Sequence, residues 1–184
     1  MEHSILVPIA EGTEELEAVG IIDVLRRAEA DVDVASVGEL QITASRGTRI
    51  TADVTLSRCK NKSYDVIALP GGIPGAYHLR DCDDLIEMLK RQKEKGGWIA
   101  AICAAPAVVL AHHGLLGGLK ATCHPAFAHE IENKAAMDSR VVVDGGFVTS
   151  RGAGTAVEFA LMLVSLLFDE KKTASVADAM LARY

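Results

Sequence analysis

Short apolar runs alternate with longer amphipathic stretches along this chain. The runs typical of buried strands lie at 4–9, 31–36, 66–69 and 98–102. Apolar positions at helical spacing recur at 14–28, 84–95, 107–111, 155–168 and 176–183. Because buried strands alternate with helices, the pattern predicts an α/β fold with a mostly parallel central sheet and helices on both faces.

Shorter runs predict two antiparallel hairpins. One joins 40–44 to 49–53, and the other joins 140–143 to 147–150 across Asp144-Gly145-Gly146. Helix starts are also marked: Thr13 is a candidate N-cap, and Thr155 with Glu158 matches a capping box.

Composition narrows the class of protein. With 184 residues, the chain is expected to form a single domain over 1–184. Its net charge of −6 argues against direct nucleic-acid binding or an anionic membrane partner. No apolar run reaches membrane-spanning length, and the first residues lack a signal-peptide pattern. Four cysteines without a C-x-x-C pair indicate free thiols in a reducing cytoplasm.

The most informative stretch surrounds Cys103. The run 98–102 ends in this cysteine, small residues follow, and Pro106 suits the first turn of a helix. The pattern predicts a strand, a sharp turn and a helix, with the thiol at the tip as in the nucleophile turn of hydrolases. The helix N-terminus would favour the thiolate. A cysteine packed as a small hydrophobic residue is the alternative interpretation.

Two further loops are predicted to meet Cys103 at the carboxyl edge of the sheet, where such folds bind ligands. They are 11–13 and 70–72. The N–H groups of Gly71 and Gly72, together with that of Ala104, could form an anion pocket. A simple turn at the two glycines is the alternative.

Glu17 and His124 are the candidate proton carriers. Glu17 follows Leu16 near the helix start and is expected to point inward, where burial beside a thiolate would raise its pKa. His124 is predicted to lie in a loop after a short strand and to titrate near the thiol, although a solvated histidine fits the same pattern.

Five segments together resemble the DJ-1 branch of the ThiJ/PfpI superfamily. They are EELEAV (14–19), DVIALPGG (65–72), AAICAAP (100–106), TCHP (122–125) and TSRGAGT (149–155). The resemblance covers nearly the whole chain. It implies a flavodoxin-like three-layer sandwich that forms a homodimer, packed partly through residues 19–22.

The resemblance also implies roles for individual residues. Cys103 corresponds to an oxidation-sensitive nucleophile, and Glu17 to a protonated carboxyl that hydrogen-bonds the sulfur. Further implied roles are backbone anion donors at Gly72 and Ala104, a nearby histidine at His124, and arginines at the dimer interface at Arg27 and Arg46.

Three positions depart from the patterns of the superfamily. Ala104 stands where the protease-like branches carry histidine, and Ala153 stands where animal relatives have proline. Cys123 is an additional thiol beside His124, either a resolving cysteine or, more simply, an inert packed one.

The implied activity is that of a glyoxalase or deglycase. Such a protein acts on methylglyoxal, glyoxal or their early adducts through the cysteine, with no metal and no organic cofactor. The competing hypothesis is a redox sensor or chaperone in which Cys103 is oxidised to sulfinic acid. An amidotransferase or peptidase fits less well, because the histidine that would partner the thiol is absent.

Overall fold

The computed structural model describes residues 3–183. The strands are β1 (Ser4–Ile9), β2 (Asp31–Ser36), β3 (Gln41–Thr43), β4 (Arg49–Thr51), β5 (Val54–Thr55), β6 (Val66–Leu69), β7 (Trp98–Ile102), β8 (Val141–Asp144) and β9 (Phe147–Ser150). The α-helices are α1 (Glu15–Arg27), α2 (Leu56–Cys59), α3 (Gly75–Arg80), α4 (Asp83–Glu94), α5 (Ala156–Leu167) and α6 (Glu170–Ala179). A π-helix spans Pro106–Ala111, and 3₁₀-helices span Pro125–Glu130 and Ala153–Thr155.

Seven strands form the central sheet in the order β5-β2-β1-β6-β7-β9-β8. All neighbours are parallel except β8 and β9, which form the second predicted hairpin. The other hairpin, β3–β4, lies outside this sheet. The central order β2-β1-β6-β7-β9 is that of flavodoxin-like folds, so the predicted fold class is confirmed.

Apolar residues fill both faces of the sheet, because successive strand side chains point to opposite sides. On one face, Ile5, Val7 and Ile9 of β1 pack with α1, α5 and α6. On the other, Leu6 packs with α4 and the π-helix. None of the helices within residues 3–183 combines the length and apolar character that crossing a membrane requires.

The helix caps differ from the sequence prediction. Glu14, not Thr13, caps α1, because its carboxylate accepts the Glu17 N–H at 2.7 Å. The Thr13 hydroxyl instead accepts the Ala10 N–H at 2.9 Å and closes the preceding turn. Thr155 makes no side-chain cap on α5, and Glu158 pairs with Arg140 at 2.7 Å. Thr13 and Glu158 thus bind residues outside the helices that they were expected to cap. The local sequence pattern does not reveal these contacts.

Two helices also depart from their predicted form. The helix after Cys103 is a six-residue π-helix. The last helix begins at Glu170 rather than 176, because the Asp169 carboxylate accepts the Lys172 N–H at 2.7 Å and caps it there. Its end is set near Leu181, which has a left-handed φ of 55°.

The loops after β1 and β6 contact each other without space for extra atoms. A Cβ on Gly75 would lie 2.5 Å from the Thr13 nitrogen, and a Cβ on Gly12 would lie 2.4 Å from the Pro74 ring. The two glycines thus let the loop that precedes α1 lie directly against the loop that precedes α3.

We predict that Gly75→Ala destabilises the protein by about 1–3 kcal/mol, because the methyl group would push the two loops apart. In an open helix, the same substitution is usually stabilising. Gly154→Ala is the matched control: no atom lies within 4 Å of its added Cβ, so a change within about 0.5 kcal/mol is expected. Urea unfolding of the three proteins measures both effects; equal stability of all three would contradict the prediction.

Candidate active site

Cys103 occupies a strained turn at the carboxyl end of β7. Its φ of 64° lies in the left-handed region, which costs a non-glycine residue roughly 1–2 kcal/mol. Two backbone hydrogen bonds hold the turn: the Cys103 N–H donates to the Ser150 carbonyl at 3.0 Å, and the Cys103 carbonyl accepts from the His124 N–H at 2.8 Å. The predicted strand, turn and helix are therefore present, with the thiol partly buried at the tip.

The Glu17 side chain points inward from the first turn of α1, as predicted, and is 0% exposed. Its Oε2 accepts the Gly71 N–H at 2.8 Å. Its Oε1 is buried and receives no hydrogen bond from the residues that the structure describes. The carboxyl group lies within hydrogen-bonding reach of the Cys103 thiol.

Burial is the largest influence on the pKa values of Glu17 and Cys103. It raises the pKa of Glu17 to about 7, against the opposing hydrogen bonds from Gly71 and Cys103. Burial and the charge of ionised Glu17 raise the pKa of Cys103 to about 12, against the N–H groups of Gly72 and Ala104. The expectation of a thiol with a lowered pKa is thus wrong where Glu17 is ionised, because desolvation and repulsion outweigh a short helix and two N–H donors.

The two groups consequently form a pair that holds one proton between about pH 7 and 12. Moving that proton from the sulfur to Glu17 leaves the buried charge unchanged. Two backbone N–H groups stabilise the charge on the sulfur, and one stabilises it on the carboxylate. Any thiolate at neutral pH is therefore the partner of a protonated Glu17.

Gly71 and Gly72 have different roles in the site. The Gly71 N–H is used by Glu17, so the prediction that it faces an anion pocket is wrong. A Cβ on Gly71 would lie 2.7 Å from the Cys103 Cβ, which requires glycine there. The N–H groups of Gly72 and Ala104 lower the pKa of the Cys103 thiol, Gly72 has a φ of 90°, and the role of these two groups in an anion pocket stays a prediction. Adjacent glycines give no sequence signal that separates these roles.

His124 lies beside the pair without hydrogen-bonding to it. Its backbone N–H binds the Cys103 carbonyl, while its exposed ring accepts the Ala126 N–H on Nδ1 at 3.2 Å. Gly152 separates the ring from Glu17. Gly152 has no sequence signal of a role in the site other than its place in the TSRGAGT segment.

The structure places the other candidate residues, Arg27, Arg46 and Cys123, outside the Cys103–Glu17 pair. The Arg27 guanidinium binds Asp23 at 2.8 Å on the exposed side of α1. Arg46 lies in the β3–β4 turn, where its N–H donates to Glu15. Their place at a dimer interface stays a prediction. Cys123 is buried, and burial raises its pKa to about 11, which favours the interpretation as a packed thiol.

No group of three or more histidine, cysteine, aspartate or glutamate side chains within residues 3–183 is arranged to hold a metal ion.

The strand order defines a flavodoxin-like α/β protein, with a strained cysteine at the carboxyl end of a central strand. The chain belongs to the DJ-1/PfpI family, whose profile matches residues 3–166. It is 45% identical to the solved structure of oxidised Toxoplasma gondii DJ-1, with a TM-score of 0.96 over 99% of this chain and 100% of that one.

Two relatives are similar to this chain in sequence. Protein DJ-1 homolog B of Arabidopsis thaliana is 47% identical over 96% of this chain, which spans only 41% of that protein's length. The glutathione-independent glyoxalase DJR-1.2 of Caenorhabditis elegans is 40% identical over 94% of this chain and 91% of its own length.

The raised pKa of Glu17 predicts how stability depends on pH. The folded protein binds this proton more tightly than the unfolded chain, so the free energy of unfolding is highest below pH 4.5 and falls as pH rises to about 7. Glu17→Gln should remove this loss and gain up to about 3 kcal/mol relative to wild type between pH 4.5 and pH 8. Denaturant unfolding at both pH values measures it, with exposed Glu87→Gln as control. A gain independent of pH would refute the assignment.

Proposed function

We propose that this protein is a glyoxalase or deglycase that needs no cofactor and acts on methylglyoxal, glyoxal or their early adducts. The observation that carries the proposal is the fully buried Glu17 carboxyl group, which the Gly71 N–H holds beside the strained Cys103 turn, with the N–H groups of Gly72 and Ala104 nearby. This arrangement supplies a nucleophile, an acid and an oxyanion site where three backbone segments meet. The glyoxalase name of the C. elegans relative supports the same chemistry.

The first half of the reaction uses the proton of the pair. The Cys103 thiolate adds to the aldehyde carbon of methylglyoxal, and the new alkoxide takes the proton from Glu17 to give a hemithioacetal. The Gly72 and Ala104 N–H groups stabilise the developing oxyanion.

Isomerisation then makes a thioester. The Glu17 carboxylate removes the proton from the former aldehyde carbon and returns it to the neighbouring carbon, while the hydroxyl proton passes to the neighbouring oxygen. Water attacks the lactoyl thioester and gives one proton to the Glu17 carboxylate, the carbon–sulfur bond breaks toward sulfur, and lactic acid leaves. Glu17 ends protonated beside a thiolate, as it began.

Lactate formation from methylglyoxal tests the proposal. Cys103→Ser should abolish turnover, and Glu17→Gln, which keeps the size but cannot exchange a proton, should lower it roughly 10²–10⁴-fold. Cys82→Ser and Glu87→Gln, which change the same residue types outside the site, should retain wild-type rates. Absence of wild-type turnover would refute the proposal; near wild-type turnover by Glu17→Gln would leave His124 as the proton carrier.

A second candidate function, redox sensing, is favoured by the same donors. The N–H groups of Gly72 and Ala104 and a protonated Glu17 could each hydrogen-bond a sulfinate on Cys103. The solved T. gondii relative is described as oxidised. A sensor requires no turnover, so the lactate assay separates the two functions.

We predict that mild peroxide forms sulfinate chiefly at Cys103. Cys82 is the matched thiol, because it is also partly buried, whereas Cys59 and Cys123 are fully buried. Glu17→Asp, which withdraws the carboxyl group by one methylene, should reduce the yield of stable sulfinate. Peptide mass spectrometry measures both; preferential oxidation of Cys82 would count against a sensing role.

We also propose that the protein forms a C₂ homodimer partly through α1. Of the four residues predicted for this contact, Ile21 instead lies in the core. Leu16 and Val19 are 56% and 50% exposed on the same helix, which supports an apolar contact there.

A further inference from the structure

Thr155 and Ser150 form a buried pair of hydroxyl groups at the two ends of the loop that follows β9. The sequence pattern predicts Thr155 as a helix cap, but its side chain caps no N–H of α5. Its Oγ1 lies 2.6 Å from the Ser150 Oγ, and both residues are buried. The Thr155 hydroxyl group therefore serves the loop before the helix and not the helix itself.

The hydrogen bonds of this pair form a chain. The Gly152 N–H donates to Thr155 Oγ1 at 3.2 Å, and the Ser150 hydroxyl donates to the Arg140 carbonyl at 2.7 Å. The Thr155 hydroxyl is within reach of Ser150 Oγ and, at 2.8 Å, of the Gly152 carbonyl. That carbonyl already accepts the Thr155 N–H at 2.8 Å, so we assign the hydroxyl proton to Ser150 Oγ. Three consecutive hydrogen bonds thus tie residue 152 to the residue before β8.

This chain fixes the loop 151–154 beside the Cys103–Glu17 pair. The Cβ position of Gly152 lies 4.0 Å from Glu17 Oε1, and the Ser150 carbonyl accepts the Cys103 N–H at 3.0 Å. Ser150 therefore holds the cysteine turn with its main chain and the loop with its side chain. The other carboxyl oxygen, Oε2, is bound by the loop after β6, so the loop 151–154 is a wall on the Oε1 side.

The wall matters because Glu17 Oε1 has no hydrogen bond to hold it. This oxygen is buried and receives no donor within residues 3–183. If the loop moved away, water would reach it, and hydration favours the ionised form of a carboxyl group. Arg140 also donates to the Gly154 carbonyl at 3.0 Å, but its side chain is 60% exposed, where water competes for the same bond.

We propose that the Thr155–Ser150 pair is a clasp that positions the loop 151–154 against the Glu17 carboxyl group and keeps water from it. Both are positioning residues, because they act through the loop and their side chains do not touch the reacting atoms. The catalytic consequence rests on the proposed glyoxalase function. That reaction begins with a protonated Glu17 beside the Cys103 thiolate, and a hydrated Glu17 would lose its proton at lower pH.

The titratable groups beside Glu17 are not altered when the clasp is removed. They are the Cys103 thiol, the Glu14 carboxylate, whose charge raises the pKa of Glu17, and the His124 ring on the far side of the loop. Neither clasp residue carries a charge, so its substitution adds and removes none. A change in the pKa of Glu17 would therefore report the hydration of its carboxyl group.

Thr155→Val keeps the shape of the side chain and removes its hydroxyl group. We expect the pKa of Glu17, about 7 in wild type, to fall by about one pH unit or more because water reaches the carboxyl group. The carbon chemical shift of the carboxyl group in protein labelled with ¹³C at glutamate measures this titration. Glu17→Gln identifies the resonance.

Two further variants serve as controls for this titration. Thr155→Ser restores the hydroxyl group and should restore the wild-type pKa of Glu17. Thr173→Val is the matched control, because it also removes a buried threonine hydroxyl, one that donates to the Asp169 carbonyl at 2.9 Å on α6. It should leave the titration of Glu17 unchanged.

The same change in pKa predicts a pH-dependent loss of turnover. At pH 7, a fall of one pH unit leaves about one tenth of Glu17 protonated instead of about one half. Lactate formation by Thr155→Val, measured as kcat/KM for methylglyoxal, should therefore fall about fivefold at pH 7 and stay within about twofold of wild type at pH 5.5. A purely structural defect would lower it by the same factor at both pH values.

The outcomes are distinct. A lowered pKa of Glu17 in Thr155→Val, absent from Thr155→Ser and Thr173→Val, supports the clasp. Unfolding curves establish that each variant is folded; if Thr155→Val does not fold, Ser150→Ala breaks the chain at its other end and is expected to lower the pKa in the same way. If the folded variant titrates as wild type does, the clasp is refuted while the proposed function stands. If the pKa falls as expected but wild type forms no lactate, the clasp stands and the proposed function has failed.

Discussion

The hydrogen bond from the Gly71 N–H to Glu17 Oε2 is the contact on which the site depends. It fastens the first turn of α1 to the loop after β6 and holds a carboxyl group where no solvent reaches it. The Cys103 turn completes the arrangement, because its Cβ leaves no space for a side chain on Gly71. A buried acid, a strained cysteine and two N–H donors thus follow from the close approach of three backbone segments.

This arrangement has an energetic cost. A buried carboxyl group whose pKa is about 7 opposes folding at neutral pH, and a left-handed cysteine adds strain. The extensive apolar packing on both sheet faces offsets these terms. In return, the protein holds a proton and a sulfur that can exchange charge without changing the total charge of the interior.

The fold could be predicted from the sequence because apolar runs such as 66–69 and 98–102 have one stable arrangement, a parallel sheet covered on both faces. Cys103 and Glu17 could be singled out from the sequence for a related reason. Cys103 ends the apolar run 98–102, and Glu17 is a charged residue among the apolar positions of the first helix. The cap at Glu14, the different roles of Gly71 and Gly72, and the raised pKa of Cys103 could not be found. They depend on contacts between distant segments and on burial, which spacing along the chain does not encode.

The central claim, that Cys103 and Glu17 share one proton, is tested most directly by titrating the Cys103 thiolate. Its ultraviolet absorbance is obtained from the difference between wild type and Cys103→Ser as pH rises. The thiolate signal should form only near pH 12 in wild type, after Glu17 has ionised near pH 7, and Glu17→Gln, which removes the negative charge beside the sulfur, should move the signal to lower pH. A thiolate signal that forms at the same pH in wild type and in Glu17→Gln would contradict the account.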